Sequence, residues 1–250
     1  MNNSLKSTVE SLSLSDKTTI KKDLENFNKK QNISRFCNHL FNKHKLREKI
    51  ILKVIWRCTK IFDLKIEVFF ASIGIFDSLI SLLNIDNSMM MKLALVSLVL
   101  ASKLKNSLKT TLKYTHIESA FQEIQAKDLI KIERYVLIQT NFNINVVTPY
   151  DYVMIFFKSE EIFPLKSIIH KMKIKNELIE ILIFFTRFYF LNEFTSLALA
   201  IICLMICRSN LNIFPIFPKH LESVTESKEV HFKSLFSKLN KMFKMKENSY

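Results

Sequence analysis

Apolar residues recur along most of the chain with a helical period, and one stretch is apolar on every side. Between Leu93 and Ala101 the sequence has no charged residue and no turn-forming residue. A helix that is apolar all round has to be enclosed by neighbouring elements, so this stretch is predicted to be the buried centre of a helical domain. The predicted helix runs from Met89 to Lys105 and carries a cation, Lys103, just beyond its apolar part.

Four other helices are predicted in the N-terminal half from their 3.6-residue periodicity and their capping residues. They cover residues 46–61, 68–83, 115–123 and 125–140. Thr115 and Glu118 match the capping-box pattern at the start of the third of these helices. Gly74 lies in the middle of the helix at 68–83, where glycine costs about 1 kcal/mol relative to alanine, and this predicts a close helix crossing.

The same order of elements repeats in the C-terminal half, where Thr148 and Pro149 are typical of a helix start. The predicted helical positions are 150–157 with 165–172, then 176–190, 195–208, 219–225 and 230–245. The third of these positions is again the most apolar. We therefore predict an all-α fold of two tandem five-helix repeats, each built around an apolar central third helix.

A short helix over residues 18–30 is predicted to precede the repeats, because Ile20, Leu24 and Phe27 form a narrow apolar stripe. The predicted domains are residues 1–33, a tail with this short N-terminal helix, then 34–146, the first repeat, and 147–246, the second repeat.

Composition supports a helical fold and excludes several kinds of site. The chain has one glycine and four prolines, too few for the tight turns of β-sheets or for glycine-rich phosphate-binding loops. The four cysteines form no CxxC pair, and the six histidines are scattered. We therefore expect no metal, no cofactor, no direct small-molecule ligand and no catalytic set, that is, a protein without enzymatic activity.

The formal net charge of +14 attracts acidic partners or nucleic acid. Only six of the 37 basic residues are arginine, the side chain best suited to phosphate and base edges, so we favour solubilising charge and expect no nucleic-acid partner.

The apolar region at 179–207 is interrupted by Arg187 and by Asn192–Glu193, which leaves no piece long enough to span a membrane.

Two charged residues of opposite sign lie on apolar helix faces. Glu133 falls four residues after Leu129 and three before Val136, and Lys103 falls four residues after Val99. A carboxylate on such a face is costly unless it is paired, so the two charges are predicted to meet each other or the backbone of a partner. From the residues alone, an ordinary buried ion pair and a functional site are equally good interpretations, and Lys103 also fits a cation that complements a helix C-terminus.

Three segments resemble, in order, the cyclin box of cell-cycle cyclins. They are LALVSLVLASKLK at 93–105, YTHIESAF at 114–121 and IKIERYVLIQTNFNINVVTPYDYV at 130–153. The corresponding family patterns are LLASK, ITDxAY, and MExxIL followed by LxFxLxxPTPxxFL. The second repeat, with SLALAIICLMIC, is similar to the C-terminal box of the family, and the junction at 148–152 looks like the B-type and G1 branches.

The resemblance implies a regulatory subunit that binds and activates a cyclin-dependent kinase in cell-cycle control, in the nucleus and cytoplasm. It implies that Lys103 and Glu133 contact the kinase. Leu46, Arg47 and Ile50 fall on the family's docking patch for protein substrates or inhibitors, although only part of its apolar character is kept. The alternatives are a transcriptional cyclin, or a basal transcription factor with two cyclin-like repeats that binds nucleic acid.

Overall fold

The computed structural model describes residues 44–83, 85–106, 110–159, 162–163, 167–188 and 194–247. Within these ranges the chain forms ten helices and no strand, which confirms the predicted all-α class. The described residues divide into two compact units. The first unit contains the described residues up to 148 together with 186–188, and the second unit contains the described residues of 149–185 and those from 194 onward. The predicted helix at 18–30 lies outside the described residues, and the predicted domain bounds stay a prediction.

The first unit contains five helices. They are α1 at 44–61, α2 (Ile66–Leu82), α3 (Asn87–Lys105), α4 (Tyr114–Ala120) and α5 (Ala126–Gln139). Helix α1 has three parts, with π-helical hydrogen bonding at Ile51–Trp56 between the α-helical His44–Ile50 and Arg57–Ile61.

Helix α3 is enclosed as its composition predicts. Every residue from Leu93 to Ser102 is buried, and α1, α2 and α5 pack around it. The small residues let these neighbours approach, and the one hydroxyl within the apolar run, on Ser97, donates to the Leu93 carbonyl at 2.9 Å. By length and composition α3 is also long enough to cross a membrane, but most of it is buried inside the unit, as in a core helix.

The second unit repeats the five-helix order. Its helices are α6 (Pro149–Phe157), α7 (Ile168–Thr186), α8 (Ser196–Asn210), α9 (Lys219–Thr225) and α10 (Glu229–Glu247). The predicted break between helices at 165–172 and 176–190 is wrong, because α7 runs through it. Ile174 and Leu178 are both fully buried on one face of that helix, so its apolar stripe is continuous across the polar residues where a break was expected.

Helix α8 is the buried centre of the second unit. The Thr195 side chain caps it by accepting the Ala198 N–H at 3.2 Å, and α6 and α10 pack against it. Its one charged residue, Arg208, is buried and donates to the backbone carbonyls of Ile162 and Pro215. Burial lowers the pKa of the Arg208 guanidinium, and these carbonyls compensate the buried cation with partial charges.

The capping box predicted for α4 is wrong. The helix starts at Tyr114 with Lys113 as its N-cap residue, and the His116 ring accepts the Lys113 N–H at 3.4 Å. The Glu118 carboxylate instead accepts the Ala126 N–H at 3.2 Å, so it caps the start of α5. A carboxylate is favourable at either helix start, and the chain path between them decides which N–H it reaches.

Gly74 faces a chain segment and not a crossing helix. A Cβ at this position would lie 3.0 Å from Cγ2 of Thr148 and 3.1 Å from Cγ1 of Val146, in the non-helical segment that follows α5. The close approach that glycine predicted is present, but its partner differs from the one expected.

Replacing Gly74 by leucine should lower the free energy of unfolding by about 1–3 kcal/mol, because the added atoms overpack the contact with Val146 and Thr148. Urea unfolding followed by circular dichroism measures the change, with Leu82→Gln at an exposed position of the same helix as the control. A Gly74→Leu variant as stable as the parent would show that the 146–148 segment moves aside without cost.

Candidate functional site

Lys103 and Glu133 form an ion pair between α3 and α5. The Nζ–Oε1 distance is 2.5 Å, and the exposed fractions of the side chains are 46% for Lys103 and 11% for Glu133. The predicted pairing is therefore present. The pair lies at the edge of the unit, with the carboxylate mostly enclosed and the ammonium group partly in solvent, so a partner molecule can still reach it.

The connector after α3 brings a third helix to the pair. The buried Ser102 hydroxyl accepts the Leu112 N–H at 2.8 Å, which holds the chain beside the end of α3. Two residues later, the Tyr114 ring lies under the Lys103 ammonium group at 5.5 Å, a cation–π arrangement. Burial, and then the negative charge of Glu133, raise the pKa of the Tyr114 hydroxyl above its ordinary value.

Sequence reasoning missed Tyr114 as a part of this site. The available signal was an aromatic residue at the start of a short helix whose other buried residue is Ile117. That signal does not indicate a cation–π contact, because the contact depends on how the connector folds back onto α3.

Exposed apolar side chains occur on the same elements as the pair. Leu104 directly follows Lys103 and is 46% exposed, and Ile138 of α5 is 63% exposed. Phe142, just after α5, is 71% exposed and has a left-handed backbone with φ of 59°, which is uncommon for a bulky residue. The Phe142 N–H donates to the Leu137 carbonyl at 2.7 Å, so the helix end itself fixes this conformation. Single exposed apolar side chains occur on most protein surfaces, and Leu104 is the one that directly follows Lys103 in the sequence.

A second ion pair, not predicted from the sequence, joins α1 to α2. Arg47 Nε and Nη2 each lie 2.6 Å from a carboxylate oxygen of Asp77, and both side chains are almost fully buried. This is the bidentate fork geometry that arginine forms with a carboxylate. The available signal was Asp77 itself, a carboxylate inside the apolar run of α2.

The burial of Arg47 bears on the predicted docking patch. Of its three residues, Leu46 is partly exposed, whereas Arg47 and Ile50 are buried at 3% and 5% exposure. Arg47 therefore contributes to the fold through Asp77. The docking of substrates or inhibitors at this patch stays a prediction, with Leu46 as its accessible member.

The described residues offer no cluster of three or more His, Cys, Asp or Glu side chains that could hold a metal ion. Three cysteines, Cys58, Cys203 and Cys207, are buried as free thiols, and burial raises the pKa of Cys58 to about 11. A buried protonated thiol is a poor nucleophile, so these side chains act as small apolar residues of the core.

Comparison with known proteins agrees with the geometry. The family model for the cyclin N-terminal domain matches residues 17–145, just over half of the chain. A search of curated proteins gives no significant match. The matched region contains α1 to α5 and both ion pairs. The chain belongs to the cyclin family, whose members are typically non-catalytic regulators of cyclin-dependent kinases.

Proposed function

We propose that this protein binds and activates a cyclin-dependent serine/threonine kinase in cell-cycle control, as a B-type-like or G1-like cyclin. The observation that carries the proposal is the Lys103–Glu133 pair, with its half-exposed lysine, at the junction of α3, α4 and α5. In the cyclins that the sequence resembles, a Lys and a Glu at these positions contact the kinase near its C helix. The expected location, nucleus and cytoplasm, belongs to the same proposal.

The proposed mechanism is a population shift in the kinase. A partner that binds the kinase only when the C helix lies inward stabilises that state of the kinase. The glutamate of the C helix then contacts the kinase lysine that orients ATP. The cyclin supplies binding energy and no reacting group. The exposed Leu104, which directly follows Lys103, offers apolar surface to this contact, and the ion pair offers fixed hydrogen-bonding groups.

The surface beside the pair suggests a feature of the kinase partner. Where the family has two glutamates after Ala-Ser-Lys, this chain has Leu104 and Lys105. A kinase that presents basic groups at this point would meet a cation in place of a carboxylate, which costs affinity. The partner is therefore expected to present an apolar or acidic surface there.

Adding the purified protein to purified monomeric cyclin-dependent kinases should increase phosphate transfer to a peptide substrate by about 100-fold with the cognate kinase, the gain expected if nearly all of a rarely active kinase becomes active. Mass spectrometry of the affinity-purified protein identifies that kinase. Recovery without any kinase, together with steeply salt-dependent binding to duplex DNA, would favour the basal transcription factor alternative.

A further inference from the structure

The last helix of the second unit, α10 (Glu229–Glu247), has an unusual distribution of charge. Between its two terminal glutamates the sequence contains five lysines and no acidic residue. Of these lysines, all four whose side chains the structure describes are exposed, and we call them the α10 lysine face: Lys233, Lys238, Lys241 and Lys244. An isolated helix with like charges along one side is destabilised by their repulsion, so packing elsewhere has to hold α10 in place.

That packing is provided by the opposite side of the helix. Phe232, Leu239 and Phe243 are buried, and α10 packs against α8. The Phe243 ring meets the Phe184 ring edge-on at 5.3 Å, and the Phe232 ring stacks on Phe217 at 6.1 Å. Because these contacts fix the rotation of α10 about its axis, the lysine face is held toward solvent.

The lysine face is compact along and around the helix. At 100° and 1.5 Å per residue, the four lysines lie within an arc of about 140° and span about 16 Å, and Lys233, Lys241 and Lys244 lie within about 80° of that arc. None of these three forms an ion pair with a described residue. Two apolar side chains lie near the ends of the same face, Val230 at 74% exposure and Met245 at 57%.

We propose that the α10 lysine face binds an extended acidic segment of a partner protein, with apolar residues at both ends of the acidic run. The four lysines follow one another at intervals of five, three and three residues, an average rise of about 5.5 Å along the helix, and alternate residues of an extended chain are about 6.7 Å apart. A run of acidic residues therefore follows the lysines, while its flanking apolar residues reach Val230 and Met245.

Two observations favour a peptide over other polyanions. The face has no arginine, and α10 exposes no Phe, Tyr or Trp ring, so the face lacks the guanidinium forks that suit base edges and the large rings on which bases stack. The apolar side of α10 is already buried against α8 and its neighbours, so the helix cannot insert that side into a lipid surface. The proposal is independent of the kinase contact, which lies in the other unit.

The test uses fluorescence anisotropy of a labelled peptide with alternating glutamate and aspartate between two leucines. The α10 triple variant carries Lys233→Glu, Lys241→Glu and Lys244→Glu. It should bind the peptide at least about tenfold more weakly, because three exposed ion pairs with the peptide become repulsive. The matched control is Lys173→Glu with Lys175→Glu and Lys219→Glu, which changes the net charge equally at exposed positions of the same unit. The control should weaken binding less than about threefold, through the screened long-range field alone.

Two outcomes would overturn the proposal. Equal losses of peptide affinity in the two triple variants would mean that only net charge matters. Tighter binding to duplex DNA or to phosphatidylserine vesicles than to the peptide would assign the face to those polyanions. Circular dichroism checks that the variants fold, and the milder Lys→Gln versions of both triples replace any that do not. The α10 triple variant should bind the kinase as well as the parent protein does. Peptide binding therefore tests the α10 lysine face and kinase binding tests the proposed function, so the two proposals can fail separately.

Discussion

A variant with Lys103→Ala and Glu133→Ala is expected to lose association with its cyclin-dependent kinase while keeping its helical fold. Truncating a hydrogen-bonded charge at an interface costs about 2–5 kcal/mol in binding, so each single change should weaken association at least about 30-fold. The cost in folding is small, because the pair is partly exposed and both charges are removed together. Surface plasmon resonance with the purified kinase measures the loss, and thermal unfolding checks the fold.

The chain offers a closely matched control. Lys92 and Asp128 form another ion pair between the same two helices, α3 and α5, at 3.8 Å and with both side chains about one third exposed. Replacing these two residues by alanine removes the same charges from the same elements but leaves the Lys103–Glu133 pair in place. Its kinase affinity should stay within about threefold of the parent. A folded Lys103→Ala, Glu133→Ala variant that binds as well as this control would contradict the proposed kinase contact.

A charge-swapped variant, Lys103→Glu with Glu133→Lys, separates the internal pair from its external role. The swap retains opposite charges at both positions, so the fold can keep an ion pair there. It reverses the polarity that the kinase meets, and binding should fail as it does in the double alanine variant. Full binding by the swapped protein would mean that the pair acts only by joining α3 to α5.

Asp77→Ala is expected to lower the free energy of unfolding by about 3–5 kcal/mol, because it leaves the buried Arg47 guanidinium without its carboxylate. A loss of this size is a large fraction of the 5–15 kcal/mol that typically stabilises a domain. Urea unfolding of the full chain measures it. Replacing both partners by apolar residues, Arg47→Met with Asp77→Leu, should recover most of the loss, since the cost comes from the unpaired charge.

The exposed pair of Lys65 and Glu67 is the control for this measurement. Lys65 Nζ and Glu67 Oε1 are 3.7 Å apart, and the Lys65 side chain is 67% exposed. Glu67→Ala should therefore change the free energy of unfolding by less than about 1 kcal/mol. An Asp77→Ala variant that loses no more than Glu67→Ala would contradict the view that the Arg47–Asp77 pair is a buried support of the first unit.

Local features of the chain were sufficient to predict most of the helices. The apolar periods of α3 and α8 require enclosure wherever these helices pack, so their burial follows from composition alone. The facing of Lys103 and Glu133 also followed from spacing, because the helical period places each on an apolar side. The split of α7 failed because a polar interval resembles a break when only local residues are considered.

What the sequence by itself determined is therefore the fold class, the repeated order of helices and the side of each helix that is buried. Only the tertiary structure decided which groups meet: Arg47 with Asp77, Gly74 with the segment at 146–148, Tyr114 with Lys103, and Glu118 with the start of α5. The physical reason is that periodicity is set by neighbouring residues along one helix. A contact between helices depends on how several of them pack at once, and on the path of the connectors between them.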